Sequence, residues 1–498
     1  MELTPFYIVS YTSDRIMLPL HDVADGKSGP KVSVIIGPNG SGKSSAIASL
    51  VDELEVMYLL LTSSKDNFKK LRHPKQAEIE FRYGGDIFKI MRDGLVLTAL
   101  KNEVTIDIDR DSFPKHALAV AHLPTDKFRF SRNDDNLFYR YLGLRQATNM
   151  VTTGALEAKV ISSLLNQSQC SSYHQALEEW LKVLNVGGDF EIEFRGLNTD
   201  VFHMGEIKDL NSISRRIQYR SVEDYINHLQ ETVDASITES SITMFLSIFG
   251  KICKELGEEN LDSKGKRKNY ILPLNLLIDD SKIDSISWDL GVEIIRKLRI
   301  SDEIRLIVSK NGEKKAFSDL SSGERCVIGT VARLFEFATE RCVIAIDEPE
   351  VSLHPSWQIK YIPTLMKAMK HLKSAHVLIA THSHFLVSDV DESSSLIIAS
   401  NNDVGQIQFD RFDGDVYGRT PDNILYRVFG VGAATNFYVE HDLSEALQIL
   451  SEPENMNFVK LKEIRRRLNR VSADDNPAFN EILNIIDKSL EGVNDAKN

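Results

Sequence analysis

The octapeptide Gly37-Pro38-Asn39-Gly40-Ser41-Gly42-Lys43-Ser44 constrains this chain more than any other stretch. It follows a β-branched run, Lys31 to Ile36, that reads as a buried central strand. It precedes Ile47, Leu50, Val51, Leu54 and Met57, whose spacing predicts a helix. Strand, glycine loop and helix in that order satisfy the pattern Gly-x-x-x-x-Gly-Lys-Ser. The glycines let backbone N–H groups turn inward around an anion, and the helix presents its N-terminus to the same anion. An α/β fold with a phosphate-binding loop is the expectation.

Cys342-Val343-Ile344-Ala345-Ile346 is a second apolar run, and it ends in Asp347-Glu348. Carboxylates at the C-terminal end of a strand stand where ligands bind in open α/β sheets. Beside Lys43 and Ser44 they describe a site for ATP and Mg²⁺. Lys43 would place its charge on the β- and γ-phosphates, and Ser44 and Asp347 would hold Mg²⁺. Glu348 would polarise an attacking water as general base. Gly37, Pro38, Asn39, Gly40, Ser41, Gly42 and Ser45 complete the loop's contact with the nucleotide. Glu350 is either a helper at the metal or a solvated acid. His382, straight after the run His376 to Ala380, is placed to reach a γ-phosphate and sense hydrolysis. His384 carries no assignment.

A third stretch, Leu320-Ser321-Ser322-Gly323-Glu324, says how such a site would be used. Ser321, Ser322 and Gly323 offer hydroxyls and N–H groups just before a helix beginning near Glu324, again an anion-binding geometry. The chain's own ATP already has its phosphate loop. The second geometry therefore reads as a contact to the γ-phosphate of a neighbouring subunit, with two ATPs sandwiched between two heads. A plain helix N-cap would use the same serines.

The totals narrow the class. The 498 residues carry a soft prior of about three domains. Apolar content of 42% and charged content of 26% are those of an ordinary globular protein. A net charge of −13 argues against a uniformly basic nucleic-acid binder, though a local basic groove remains compatible with it. Cys170, Cys253, Cys326 and Cys342 form no Cys-x-x-Cys pair, so no zinc site is expected, and the chain reads as cytoplasmic. No stretch of about 18 apolar residues occurs, so no membrane span is expected. The start, Met1-Glu2-Leu3-Thr4-Pro5, lacks the charge and apolar core of a signal peptide.

Along the chain, residues 6–20 read as extended, and residues 76–107 alternate as antiparallel strands around Tyr83-Gly84-Gly85-Asp86. Ala117 to His122 is another apolar strand. From about 130 to 300 helical spacing dominates, as in Ile242, Phe245, Phe249, Ile252, Cys253 and Leu256, without sustained heptads. Strand patterns resume with Ile304 to Val308 and end near Phe409. The tail is helical, with one stripe at Leu461, Ile464 and Leu468 and another at Ile482, Leu483, Ile485, Ile486 and Leu490. The expected organisation is a head in two parts, 1–128 and 301–410, a helical insertion over 129–300, and a helical C-terminal region over 411–498.

Asp347-Glu348-Pro349-Glu350-x-x-Leu353-His354-Pro355 followed by Ala380-Thr381-His382-Ser383 resembles the soluble ABC ATPases related to SMC, RecF and overcoming-lysogenization-defect proteins. The resemblance implies an ABC-type P-loop head that dimerises through ATP, with slow and regulatory hydrolysis. Tyr141-Leu142-Gly143-Leu144-Arg145 is similar to stand-alone ATPases of bacterial antiphage systems, including subunits of Septu and of some retrons. That likeness implies a separate HNH-type nuclease as partner. Two departures stand out. No glutamine follows Ala117–His122 at the position of the family's Q-loop, where Asp126 or His122 is the alternative. The tail also reads as helices, and Asp474-Asp475 lacks the Asp-x-Asp pair of a Toprim nuclease.

Basic clusters occur at Lys69-Lys70-Leu71-Arg72-His73-Pro74-Lys75, at Arg215-Arg216 with Arg220, at Lys264-Gly265-Lys266-Arg267-Lys268, and at Arg465-Arg466-Arg467 with Arg470. Each is either a track for a nucleic-acid backbone or a solvated face. The leading expectation is an ATP-driven homodimer or higher homo-oligomer that controls a nuclease in antiphage defence. The alternatives are a repair- or chromosome-type ATPase that clamps DNA directly and a non-hydrolysing ATP-dependent scaffold.

Overall fold

In the computed structural model the chain opens with an antiparallel pair, β1 (Phe6–Ser13) and β2 (Met17–Pro19), and then enters β3 (Lys31–Ile36) and helix α1 (Lys43–Leu61). Four antiparallel strands follow: β4 (Gln76–Tyr83), β5 (Asp86–Asp93), β6 (Val96–Lys101) and β7 (Val104–Ile106). Next come β8 (His116–Ala121) and β9 (Tyr139–Tyr141). The structure describes residues 5–22, 29–62, 73–108, 110–123, 125–130, 138–143, 145, 153–167, 169–197, 202–203, 206–207, 221–233, 235–256, 258–261, 268–274, 286–388, 390, 394–401, 406–412, 437–451, 457–468 and 483–488.

The middle of the chain supplies α2 (Thr153–Asn166), α3 (Ser171–Leu184), β10 (Glu191–Leu197), and the short ribbon β11 (Phe202–His203) and β12 (Glu206–Ile207). It continues with α4 (Val222–Thr232), α5 (Glu239–Leu256), β13 (Glu258–Leu261), β14 (Lys268–Pro273) and α6 (Trp288–Lys297). The later part runs β15 (Glu303–Lys310), β16 (Glu313–Ala316), α7 (Ser322–Phe337), β17 (Cys342–Asp347), α8 (Pro355–Ala368) and β18 (Ala375–Thr381). It closes with α9 (His384–Val387), β19 (Ser395–Asn401) and β20 (Ile407–Arg411). The described chain divides into two compact units, 1–421 and 422–498.

The central sheet of the first unit has the order β20-β19-β3-β18-β17-β8-β9. All its pairings are parallel except that of β20, which closes one edge antiparallel. Strands β3, β17 and β18 are buried at every position, as their unbroken apolar runs require when both faces are covered. The registers Ala121↔Asp347, Asp347↔Ala380 and Thr381↔Ile36 bring the C-terminal ends of β8, β17, β18 and β3 to one edge.

Helix α1 buries Ile47, Leu50, Val51, Leu54 and Met57 completely. Those residues join one core with the inner face of the antiparallel sheet β2-β1-β4-β5-β6-β7. Two acids on the same helix are buried too, and both are paired. Glu53 takes a two-point bond from Arg92 of β5, at 2.5 and 2.7 Å, and Glu55 pairs with Arg129.

The segment read from sequence as a helical insertion holds five helices in its described residues, and strands as well. β13, β14 and β10 form a five-stranded antiparallel sheet with β15 and β16. Two readings change with it. The strand over 304–308 belongs to this five-stranded sheet, and the central sheet gains β9 from beyond residue 128. Alternation at Ile192 and Phe194 carries the strand signal in β10, but its partner β15 lies more than a hundred positions away. Helices α2 and α3 pack on the later part of the chain. Ser163 and Asn166 bond to Glu336 of α7, and Trp180 sets its ring against Tyr361 of α8 with centroids 5.0 Å apart.

The second unit packs α10 (Phe437–Ser451) and α11 (Phe458–Leu468) with a helical stretch at 483–488. Leu461, Ile464 and Leu468 form its core with Ala446, Leu483 and Ile486, whereas Ile485 is exposed. Ile482 and Leu490 lie outside the described residues.

Candidate functional site

The loop 37–42 folds as its glycines dictate. A side chain at Gly37 would meet the Ala399 carbonyl oxygen at 2.1 Å. Gly42 stands at φ +82° as the residue capping α1, a conformation that L side chains rarely adopt. The turn leaves Lys43 and Ser44 at the N-terminus of α1, facing the end of β17.

Lys43 Nζ donates to the carbonyls of Gly37 (3.0 Å) and Pro38 (3.1 Å). It also lies 2.9 Å from Nε2 and 3.2 Å from Nδ1 of His382. His382 Nε2 in turn stands 2.9 Å from Glu348 Oε1. With Nε2 donating to that carboxylate, Nδ1 is the nitrogen left to accept from Lys43. Burial lowers the Lys43 ammonium's proton affinity, against the opposing pull of Glu348, Glu350 and Asp347.

Asp347 is buried at the strand end and hydrogen-bonds to Ser44. Its Oδ1 has no hydrogen-bond partner. Burial raises its pKa to about 6; the Ser44 bond opposes the rise and the charges of Glu348 and Asp126 add to it. Ser41 Oγ, in the loop, is also buried without a partner. No group of three or more His, Cys, Asp or Glu that could hold a metal alone occurs among the described residues. One hydroxyl and one carboxylate are what a Mg²⁺ ion arriving on phosphate oxygens uses, because it keeps most of its ligands from substrate and water. The donors present therefore fit Mg²⁺ carried by a nucleotide.

Glu348 stands at φ +50° and Ser352 at +66°, two strained positions within one turn. Burial alone would raise the Glu348 carboxyl, but hydrogen bonds from His382 and Glu350 and the charge of Lys43 outweigh it and hold its pKa below the usual value. Glu350 is a paired side chain, not a freely solvated acid. Its Oε1 accepts from Thr381 Oγ1 and from the backbone N–H of His382, both at 2.7 Å. Burial and the Glu348 charge raise its pKa to about 7. His354 caps α8 through Ser356 N and is exposed.

Ser321, Ser322, Gly323 and Glu324 form the N-terminus of α7 and bond elsewhere. Ser321 and Glu324 make a reciprocal capping box, with Ser321 N and Oγ each 2.9 Å from Glu324 Oε2. Lys310 of β15 pairs with the other oxygen of Glu324. Ser322 is exposed, and a side chain at Gly323 would meet the Ser352 carbonyl oxygen at 2.3 Å. The capping geometry is thus realised, with the helix end packed on the turn that follows Glu348.

Of the two alternatives for the Q-loop position, Asp126 is occupied internally, and His122 is engaged through one ring nitrogen while its buried Nε2 has no partner. His122 Nδ1 lies 3.2 Å from Cys326 Sγ, and burial lowers the ring's pKa to about 4. Asp126 is held by Arg145 and Tyr141. Two of the three arginines of α11 are likewise engaged. Arg465 forks onto Asp487 at 2.7 and 2.6 Å, and Arg467 onto Asp442 at 2.9 and 2.7 Å. That pairing weakens the case for a phosphate-tracking face there. Residues 69–72, 215–216, 220, 264–267, 470 and 474–475 lie outside the described residues.

Residues 215–388 match the model of a family described as AAA domain, putative AbiEii toxin, Type IV TA system. That match takes in residues 320–324, 342–350 and 382 and leaves the loop 37–45 outside it. Protein ea59 of Escherichia phage lambda is 28% identical over 189 residues, 36% of this chain and 35% of that protein. The Retron Ec83 probable ATPase of Escherichia coli is 29% identical over 100 residues, 18% of each chain. The Retron Vc95 probable ATPase of Vibrio cholerae serotype O1 biovar El Tor is 24% identical over 198 residues, 36% of this chain and 37% of that one. The chain matches little more than a third of the length of these relatives at most. A solved SMC head bound to the C-winged helix domain of ScpA aligns over 82% of this chain and 97% of its own, at 13% identity and a TM-score of 0.31, too low to carry an argument.

Proposed function

We propose that the chain is an ATP-binding and ATP-hydrolysing protein of the ABC type. Two copies close head to head on two nucleotides, and the closed state controls a separate effector, a nuclease, in defence against phage. The observation that carries the reading is the line Lys43–His382–Glu348 at the sheet edge where Ser44 meets Asp347. Relatives described as retron ATPases support the link to defence.

The residues divide the work. The loop Gly37–Ser45 would bind the phosphates, with Lys43 exchanging its two carbonyl contacts for β- and γ-oxygens. Ser44 and Asp347 would hold Mg²⁺, which supplies charge neutralisation at those oxygens. Glu348 Oε1 accepts a proton from a water as its oxygen attacks the γ-phosphorus; the bridging bond breaks and ADP leaves with the electron pair. His382 orients Glu348 through Nε2. Ser322, exposed at the start of α7, would meet a neighbour's γ-phosphate.

The test is the mass of the protein in solution and its phosphate release, with and without Mg-ATP, for wild type, Lys43→Ala and Glu348→Gln. The expected result is association driven by ATP, lost in Lys43→Ala and trapped without phosphate release in Glu348→Gln. A mass and a phosphate signal that ignore nucleotide in all three proteins would overturn the proposal.

A further inference from the structure

The stretch Tyr141-Leu142-Gly143-Leu144-Arg145 has no role in the chemistry proposed above, yet it bonds to Asp126 on one side and to α7 on the other. Its anchor is Asp126, five positions past the end of β8, where Ala121 sits in register with Asp347. The Asp126 side chain is fully buried (0% exposed). It accepts from Tyr141 Oη at 2.6 Å, from Arg145 Nε at 3.0 Å, from Arg145 Nη2 at 2.6 Å and from Phe128 N at 2.9 Å. A buried carboxylate held by four donors has one position and keeps it. Its charge is felt at Asp347.

The spacing Tyr-x-Gly-x-Arg follows from that geometry. Arg145 lies 4.9 Å over the Tyr141 ring and also donates to the Phe128 carbonyl at 2.5 Å. A side chain at Gly143 would meet Tyr141 Oη at 2.2 Å, so only glycine leaves the hydroxyl free to reach Asp126. Leu142 N donates to Ala119 O at 2.7 Å and ties the stretch to β8.

The opposite side of the stretch is gripped by α7. Arg333 donates to the carbonyls of Tyr141 (3.2 Å), Leu142 (2.7 Å) and Gly143 (3.2 Å). One turn into the same helix, Cys326 meets His122 at the end of β8. The helix that begins at Ser321–Gly323 is thus joined by two arginines and one loop to Asp126, five positions past the strand end that pairs with Asp347.

We propose that Arg145 is a positioning residue for ATP hydrolysis: through Asp126, Tyr141 and Arg333 it sets where helix α7 presents Ser321–Gly323 relative to the nucleotide held by the chain's own loop. This deepens the ATPase reading and rests on it. Arg145 touches no reacting atom. Lysine there keeps the charge and loses the two-point fork, so the coupling fails while the charge balance around Asp126 survives.

The experiment compares wild type, Arg145→Lys, Arg333→Lys, the double variant, and Tyr141→Phe, which removes a single hydroxyl and spares the fold. Each is measured for binding of a fluorescent ATP analogue, ATP-driven mass, phosphate release and melting temperature. The expected result is analogue affinity within about threefold of wild type, with phosphate release and association reduced at least about tenfold in both lysine variants. Tyr141→Phe gives a smaller loss of the same kind, and the double variant is no worse than the poorer single one, as members of one coupled unit behave. Normal turnover and association in Arg145→Lys would overturn the proposal. So would a parallel loss of affinity, melting temperature and turnover, which is the mark of a merely structural ion pair. If wild type itself neither binds nor hydrolyses ATP in a Lys43-dependent way, the reading of the preceding section falls, and this one with it.

Discussion

Glu350 Oε1 accepts the backbone N–H of His382 at 2.7 Å, so the carboxylate two positions after Glu348 holds the histidine that faces Glu348. The same oxygen accepts from Thr381 Oγ1. One acid thus fixes the end of β18 against the turn after β17.

Glu350→Ala removes the acceptor for two inward-facing donors and is expected to cost about 1–3 kcal/mol of stability and to lower phosphate release. Glu350→Gln keeps a carbonyl oxygen in place and relieves the repulsion with Glu348, so it is expected to retain most of both. Melting temperature and single-turnover phosphate release on the two variants check this. Equal damage from both would show that the charge, not the acceptor, matters.

Gly323→Ala places a carbon 2.3 Å from the Ser352 carbonyl oxygen, which is backbone and cannot swing aside. A loss of about 1–3 kcal/mol is expected, the range for overpacking a close contact. The start of α7 must also move away from the Glu348 turn. Chemical denaturation reads the first effect and ATP-driven mass reads the second; an alanine variant matching wild type in both would contradict the close packing.

His376 is fully buried and must be neutral. Its Nδ1 accepts from Ile8 N at 3.0 Å, and its Nε2 stands 2.9 Å from Ser33 Oγ, which donates to Leu20 O. Burial lowers its pKa well below 6.5, and the nearby His21 and Lys31 push the same way. The unfolded chain therefore binds a proton below about pH 6.5 that the folded chain refuses, and this site's stability falls as pH drops through that value, by up to about 1.4 kcal/mol per pH unit. Asp347 and Glu350, whose folded pKa values are raised, act in the opposite sense. The check is accordingly the difference between wild type and His376→Gln in denaturant midpoint from pH 7.5 down to 5; a pH-independent difference would remove His376 as the cause.

Glu53 and Arg92 are both fully buried and fork onto each other. Glu53→Ala leaves the guanidinium without its carboxylate and is expected to cost about 3–5 kcal/mol. Replacing both partners with apolar residues of similar volume is expected to recover most of that loss. Denaturation of the singles and the double decides it: additive losses would mean that the pair is not coupled.

The segments legible in the sequence were those whose meaning lies within about ten consecutive positions. Lys31–Ile36, Cys342–Asp347 and His376–Ala380 are apolar runs, and each is a buried strand of the central sheet. The stripe Ile47, Leu50, Val51, Leu54 and Met57 is a helix because 3.6-residue spacing puts those side chains on one face. The five-stranded sheet was missed for the opposite reason. Alternation in β10 says which side chains point inward, but not that the neighbours are β14 and β15, and the longer helices around it dominate any window average.

The sequence by itself determined the phosphate-loop pattern at 37–44, the carboxylates at 347–348 and the strand-and-helix order that brackets them, because each is a local matter of backbone freedom and burial. Only the tertiary structure decided what Glu350, Asp126, Arg145 and Arg333 do. Arg333 finds its acceptors about 190 positions back in the chain and Glu350 its donors about 30 positions on. Which buried donor meets which buried acceptor follows from how strands and helices stack, and no local spacing encodes that.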